Sequence, residues 1–380
     1  MKKFKLPIYC LFFALLIICP GCNNQHTESI IIGRILPLTG PAASYGQSEQ
    51  KGTILALEEI NRNGGLEGRN LEILFEDTQC EVRNGVNAMK KLVDVHKVPA
   101  VLGATVSGIT LAISPIANEN KVLLLSPLSS LASITYAGPF VFRVMPSDAF
   151  QSRILAQWIL ESGYKKVAML SINNAWGKGV SDGFRESYTN LGGLIIVSET
   201  CNVGDRDFKS QLNKISVKNP EALFCPTMPK EGSIILKQMK ELSLNLPVFA
   251  GDSWSAPELL QNDASVANGV KYTYPAKYEG KEYQAFSNKF IKRFHIEPDV
   301  NAAGAYDAVN ILSSCVREIL KEDLPVTGDE IRKKMERVRD FRGATGITTF
   351  DRNGDPIEKK FDKMVIINGE RKKHKDSKTN

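Results

Sequence analysis

The chain has 380 residues, 43% hydrophobic and 24% charged, an ordinary globular composition that excludes a long disordered or multi-span membrane chain. Lys2, Lys3 and Lys5 supply +3 of the net charge of +6, and residues 370–380 supply another +3, so residues 22–369 carry none. A neutral body lacks the basic footprint of a nucleic-acid binder, and no nucleic-acid partner is expected.

In chain order, three lysines precede an apolar run from Leu6 to Ile18 that ends at Cys19-Pro20-Gly21-Cys22. A charged start, a run of this length and small residues at its end read as an export signal over residues 1–22, not a spanning helix. No later apolar stretch is long enough to cross a bilayer. From residue 30 the sequence alternates short β-branched runs with amphipathic stretches. Ile30–Leu36, Leu71–Glu76, Ala100–Gly103, Val122–Leu125 and Phe140–Val144 read as strands, with helices over Ser48–Arg62, Val82–Val95 and Gly108–Asn120. Gly64-Gly65 closes the first helix with residues suited to a left-handed cap. The pattern restarts with strands Val167–Ser171, Leu194–Glu199, Ala222–Cys225 and Val248–Gly251. Helices lie between them near Trp176–Leu191, Phe208–Val217 and Lys230–Leu242. Helices over Glu282–Phe294, Ala302–Leu320 and Gly328–Val338 follow. A hairpin-like segment then joins Thr348–Phe350 to Phe361–Ile367 through an Asn353-Gly354 turn. Two such runs predict an α/β chain with two doubly wound parallel-sheet lobes, and the lack of a simple linker implies that the chain crosses between them more than once.

Catalytic patterns are missing. Four histidines, His26, His96, His295 and His374, are not paired at metal spacing, and no metal or cofactor is expected. No nucleophile elbow or phosphate-binding loop occurs, so the chain does not read as an enzyme. Asp205 and Asp207 precede a helix and read as caps. Cys80, Cys201, Cys225 and Cys315 form no metal pattern. Cys201 and Cys225, near the ends of successive strands, fit either a disulfide or two buried thiols.

Small hydroxyl residues and aromatics do gather at strand ends. Thr39-Gly40-Pro41 leads to Tyr45, Thr105-Val106-Ser107-Gly108 opens a helix, and Ser126-Pro127-Leu128-Ser129-Ser130 follows the next strand. In open parallel sheets ligands bind at the carboxyl ends of strands, and a helix start with the Ser107 hydroxyl beside it suits a carboxylate. The second run offers Trp176, Met228 and the triplet Asp252-Ser253-Trp254 at its own strand ends. Asp252 beside Trp254 can hold an ammonium by ion pairing and a cation–π contact, or can cap a helix over Pro257–Leu260.

The segments PLTGPAASYG (37–46), EEINRNGGLEGRNLEI (58–73), GATVSG (103–108), VFRVMPSD (141–148), VAMLSINNAWGKG (167–179), GDRDF (204–208) and FAGDSW (249–254) together resemble the Leu/Ile/Val-binding lipoproteins of branched-chain amino acid ABC importers. These are type I periplasmic solute-binding proteins, and the likeness runs over nearly the whole mature chain. It implies a clamp that traps a small molecule when its hinge closes and hands it to an ABC permease in the membrane. One lobe is expected over residues 28–145 plus 278–341, the other over 146–277 plus 342–370, with hinges near Met145, Ala276 and Arg342 and a basic tail over 371–380. By the same likeness Ser107, Leu128, Ser129 and Ser130 form a carboxylate pocket with Tyr45 at its rim, and Trp176, Met228, Asp252 and Ser253 reach the ligand from the second lobe. The Gly21-Cys22 pair resembles a lipobox, with Cys22 acylated as a lipid anchor; an uncleaved N-terminal anchor is the alternative. Two departures stand out. Where the family's aliphatic binders often have a glutamate for the ammonium, this chain has Ser253, and Cys80 lacks a partner in the GATVSG loop. Relatives of this kind bind amides, urea or aromatic acids, so a sensor module signalling to a membrane partner is the alternative function.

Overall fold

A computed structural model describes residues 28–260, 264–276, 280–357 and 359–374, together with Met1. Beyond Met1, the expected export signal, with Cys22, and residues 375–380 lie outside the described residues.

The first run folds as β1 (Ile30–Leu36), α1 (Ala43–Arg62), β2 (Leu71–Asp77), α2 (Val82–Lys90), β3 (Ala100–Leu102), α3 (Ser107–Glu119), β4 (Leu123–Ser126) and β5 (Val141–Arg143). Its strands make one parallel sheet in the order β2-β1-β3-β4-β5. The second run begins with α4 (Asp148–Glu161), β6 (Lys166–Ile172), α5 (Ala175–Asn190), β7 (Leu194–Cys201) and α6 (Lys209–Val217). It continues with β8 (Ala222–Phe224), α7 (Pro229–Glu241), β9 (Val248–Ala250) and β10 (Lys271–Pro275). These strands repeat the same order, β7-β6-β8-β9-β10, again parallel. Each sheet therefore has its own switch point, where the strand order reverses and the carboxyl ends open a crevice.

Both sheets are covered on both faces, which is why their strands read as continuous apolar runs. In the first, Ala56 and Ile60 of α1 pack with strand residues Ile30 and Ile32 on one face, while Met89 of α2 and Ile109 and Ile113 of α3 cover the other. In the second, Leu212 of α6 and Ile235 of α7 cover one face, and Trp158 of α4 and Phe184 of α5 the other.

Three later helices, α8 (Lys281–Phe294), α9 (Val300–Lys321) and α10 (Gly328–Met335), return to the first sheet. Val309 and Leu312 of α9 and Ile331 of α10 share the core of Ala56 and Ile60. The chain ends with β11 (Phe341–Gly343), β12 (Gly346–Phe350), β13 (Pro356–Ile357), β14 (Phe361–Ile367) and β15 (Glu370–Lys373).

Here the structure differs from the sequence reading. The Asn353-Gly354 turn joins β12 to the two-residue β13, not to Phe361–Ile367, and β14 instead runs antiparallel to β10 at the edge of the second sheet. The small sheet β11-β12-β13 stays with the first core: Phe350 is buried there and meets Phe142 edge-on, ring centres 5.4 Å apart. The expected division at Arg342 thus falls inside this small sheet. Glu370–Lys373 pairs with β14 as a strand, so the expected basic tail begins inside the fold. The helix α4 and the strand β10 had no counterpart in the sequence reading. Among the described residues, no helix is long and apolar enough to cross a membrane.

Candidate functional site

A cavity of about 120 Å³ lies between the two crevices. At roughly 10–15 Å³ per water molecule it has room for about ten, the size of a single amino acid or small carboxylate. Pro41, Ala42 and Tyr45 from the start of α1, Thr105, Val106 and Ser107 after β3, and Leu128 and Ser130 after β4 form one wall. Asn174, Trp176, Val203, Met228, Asp252 and Ser253 form the other, and Tyr274 of β10 and Val300 and Asn301 of α9 close the back.

The first wall is built on buried polar struts. Leu38 N and Thr39 Oγ1 donate to the Asp77 carboxylate at 2.8 and 2.7 Å, fixing the turn into α1. Gly46 lets α1 lie against that turn, because a Cβ there would stand 1.9 Å from the Pro37 carbonyl oxygen. Behind the wall, Arg34 and Glu49 form a fully buried ion pair at 3.0 Å, and Thr105 Oγ1 hydrogen-bonds Glu49. Burial pushes the Glu49 carboxyl up against the opposing pull of Arg34. α3 begins at Ser107 with no side-chain cap; Ile109 N and Thr110 N donate to the Val106 carbonyl, which leaves the N–H groups of Ser107 and Gly108 as the open donors of the first turn. The Ser107 hydroxyl oxygen accepts from Leu131 N at 3.4 Å, which leaves its proton free to donate.

The second wall is acidic. Asp252 opens a short 3₁₀ turn, Asp252–Ser255, and its Oδ1 accepts from Gln151 Nε2 at 3.1 Å. It does not cap Pro257–Leu260. Burial pushes its carboxyl upward. Asp148, the first residue of α4, lies just behind the wall, 2% exposed, with Ser130 Oγ donating to its Oδ2 at 3.0 Å. Burial, and then the neighbouring Asp252, push the Asp148 carboxyl up to about 8. Among the described residues, the lining includes no Lys, Arg or His. A buried carboxylate without a basic partner is costly, so this wall is complementary to a cationic group.

Eight of the ten residues singled out from sequence surround the cavity: Tyr45, Ser107, Leu128, Ser130, Trp176, Met228, Asp252 and Ser253. Two do not line it. Ser129 is 1% exposed, and its Oγ donates to the Ala104 carbonyl at 2.8 Å, bracing the loop after β3. Trp254 is fully buried in the second core, where its Nε1 donates to the Thr227 carbonyl at 3.1 Å, so it offers no ring face to a ligand. Sequence reasoning missed Asp148, Tyr274 and Asn301. The Ser147-Asp148 pair, a helix start directly after β5, was the available signal for the first, and the Ser147 hydroxyl does cap α4. Cys80 lines the cavity as a free thiol, and Cys201 and Cys225 are both free and buried. Burial pushes the Cys201 thiol up to about 12. Neither Asp205 nor Asp207 caps α6 as the sequence suggested: the cap position is Phe208, with no side-chain cap, while Asp205 Oδ2 accepts from Asn202 N at 2.7 Å and Asp207 Oδ1 from Lys209 N at 3.1 Å.

Comparison with known proteins agrees with this geometry. A family model described as periplasmic binding protein matches residues 29–368. The chain is 27% identical over 345 residues to Leu/Ile/Val-binding protein homolog 3 of Brucella melitensis, covering 90% of this chain and 92% of that one. The crystal structure of the branched-chain amino acid transporter substrate binding protein LivJ from Streptococcus pneumoniae, in complex with isoleucine, superposes with a TM-score of 0.82. The two are 29% identical, with 90% of this chain and 98% of that chain covered. The leucine binding protein LivK from Thermotoga maritima gives the same TM-score, 0.82, and the same identity, 29%, over 91% of this chain and 98% of its own.

Proposed function

The chain belongs to the periplasmic binding protein family, and from that premise we propose that it is an extracytoplasmic solute-binding receptor of an ABC importer, closing its two lobes around a small apolar amino acid. The observation that carries this reading is the pairing of walls. Hydroxyl and helix N-terminal donors line one wall of the cavity and Asp252 the other, with Val106 and Leu128 on the first wall and Met228 on the second adding apolar surface. That is the complement of a zwitterion with an apolar side chain. The names of the relatives point the same way: one is a Leu/Ile/Val-binding protein homolog, and another a branched-chain amino acid transporter substrate binding protein in complex with isoleucine. The receptor delivers its ligand to a permease in the membrane and is held there by acylation at Cys22.

A thermal-shift screen tests the ligand class on protein first unfolded and refolded to remove any carried ligand. Leucine, isoleucine or valine at about a hundred times Kd should add roughly 2.7 kcal/mol of stability. A response only to carboxylates without an amine would discard the amino acid reading, and no response to any solute would discard the receptor. Cys22→Ala should move the exported protein from the membrane to the soluble fraction; unchanged membrane association would remove the lipid anchor.

A further inference from the structure

Ser130 lines the cavity, and its Oγ lies 3.0 Å from Asp148 Oδ2. A serine hydroxyl carries one proton. With Asp148 ionised that proton points away from the cavity, and a ligand carboxylate meets only lone pairs at Ser130. Run in the other direction the same contact serves the ligand. A protonated Asp148 donates to Ser130 Oγ, and the Ser130 proton turns into the cavity.

We propose that Asp148 acts in its protonated form as a positioning residue, fixing Ser130 as a hydrogen-bond donor to the carboxylate of the bound solute. The inference rests on the solute-trapping reading above and adds to it a residue and a protonation state.

Hydrogen bonds assign the two acids of this site opposite roles. Asp252 receives N–H donors, from Gln151 Nε2 at 3.1 Å and from the backbone N–H groups of its own turn, and these favour the ionised form. Asp148 faces a hydroxyl, which can accept as readily as donate. The Trp176 side chain also hydrogen-bonds Asp148 and, like the Ser130 hydroxyl, favours the ionised form, but burial and the Asp252 charge outweigh both. Of the charged groups nearby, Arg143 favours the ionised form, and burial together with the Asp252 charge outweighs it. Arg143, on β5, is committed to Asp355 through two contacts of 2.7 Å and to the carbonyls of Ser130 and Leu131. Asp252 opposes a second negative charge. Tyr45 stands across the cavity, and its hydroxyl proton is held tightly by burial and the Asp252 charge. Arg153, further along α4, is exposed over the Phe150 ring, and Lys178, on α5, pairs with Asp182 in solvent. The rise of the Asp148 carboxyl to about 8 accords with a proton held at neutral pH.

The test is calorimetric titration with L-leucine at pH 6 to 9, on the wild-type protein, Asp148→Asn and Ser130→Ala. Above a pKa of about 8, each further pH unit costs about tenfold in affinity when binding needs the proton, so wild-type binding should weaken about tenfold from pH 7 to 9. Asp148→Asn supplies a permanent N–H donor. It should bind within about threefold of wild type at pH 7 and lose the pH step. Ser130→Ala should bind more weakly throughout and also lose the step, and because the substitution is small it keeps the test open if Asp148→Asn does not fold. Titration of leucine's own amine is common to all three proteins and cancels. Leucine binding by the wild-type protein without the step, or a step that survives in Ser130→Ala, overturns this inference and leaves the receptor standing. A wild-type protein that binds leucine at no pH overturns the amino acid reading, and this inference with it.

Discussion

The Tyr45 hydroxyl donates to the Ser253 carbonyl at 3.2 Å, and the two residues belong to opposite walls of the cavity. Tyr45 comes from the first turn of α1, and Ser253 from the 3₁₀ turn that begins at Asp252. Their contact joins the two walls across the cleft, so the described arrangement is a closed one. Closure of this kind excludes water and strengthens every polar contact inside.

Removing that hydroxyl should loosen the closed state and leave the lobes themselves intact. Tyr45→Phe loses one hydrogen bond of about 0.5–1.5 kcal/mol, a loss of about twofold to tenfold in affinity. The change should appear in the solute's dissociation rate by stopped flow, with the melting temperature of the ligand-free protein unchanged. An unaltered dissociation rate would show that the contact does not hold the cleft shut.

Among the described residues, Asp252 is the acidic residue that lines the cavity. Asp252→Asn keeps its shape and its place beside Gln151 but removes the charge. Truncating one partner of a buried charge pair costs about 2–5 kcal/mol, so leucine should bind at least about thirtyfold more weakly. The same variant should bind 4-methylpentanoate, which is leucine without its amine, no worse than wild type does. Equal losses for both solutes would place the ammonium elsewhere.

The Arg34–Glu49 pair is fully buried behind the first wall, and Glu49 also holds Thr105. Glu49→Ala leaves the guanidinium buried without its partner and should cost about 3–5 kcal/mol in urea melts. Glu49→Leu combined with Arg34→Met should recover part of that loss. Leucine affinity should fall in both, because the loop carrying Thr105 and Ser107 loses its strut. A loss below about 1 kcal/mol in the single variant would mean that water reaches the pair.

Asp77 should give a pH dependence whose sign follows from its hydrogen bonds. Burial pushes its carboxyl up, but hydrogen bonds from Gln79, Thr39 and Leu38 outweigh this and hold it below the ordinary value of 3.8. Its folded pKa lies below its unfolded one, so its stabilisation is complete above pH 3.8 and is lost as pH falls through the folded value. Asp77→Ala should cost about 2 kcal/mol at pH 7, by urea titration, and decline less steeply than wild type on acidification. Parallel decline of the two proteins would assign the acid sensitivity to other carboxyls.

How far the sequence disclosed this molecule depended on the kind of signal. β-branched runs such as Ile30–Leu36 are local, and their positions match the strands closely. The short strand β10 was missed because Lys271-Tyr272-Thr273-Tyr274-Pro275 alternates polar and aromatic residues and gains its buried faces only beside β9 and β14. α4 was missed although Leu155, Trp158 and Ile159 recur at helical spacing, since the reading resumed at the next β-branched run. Within the site, strand-end hydroxyls were legible because the sheet topology brings such loops together. Ser129 and Trp254 were misplaced for a different reason. Adjacent residues in a loop or short turn face different directions, and only packing decides that Ser130 lines the cavity while Ser129 braces the backbone beneath it. Asp148 escaped because its role comes from Ser130 and Trp176, both distant in sequence.

The packing of α1 against α9 also sets an order of assembly. The buried face of α1, with Ala56 and Ile60, is covered by residues that come some 250 positions later, Val309 and Leu312. Contacts of such long range form late, since the loop between them must close first. The half made first on the ribosome is thus finished last. Until α9 emerges, the apolar face that α1 shares with its sheet is only partly covered, and a fragment of residues 28–145 should show no cooperative melting. An exported chain gains from this delay, because a first half that cannot complete its core remains threadable while the rest is still being made.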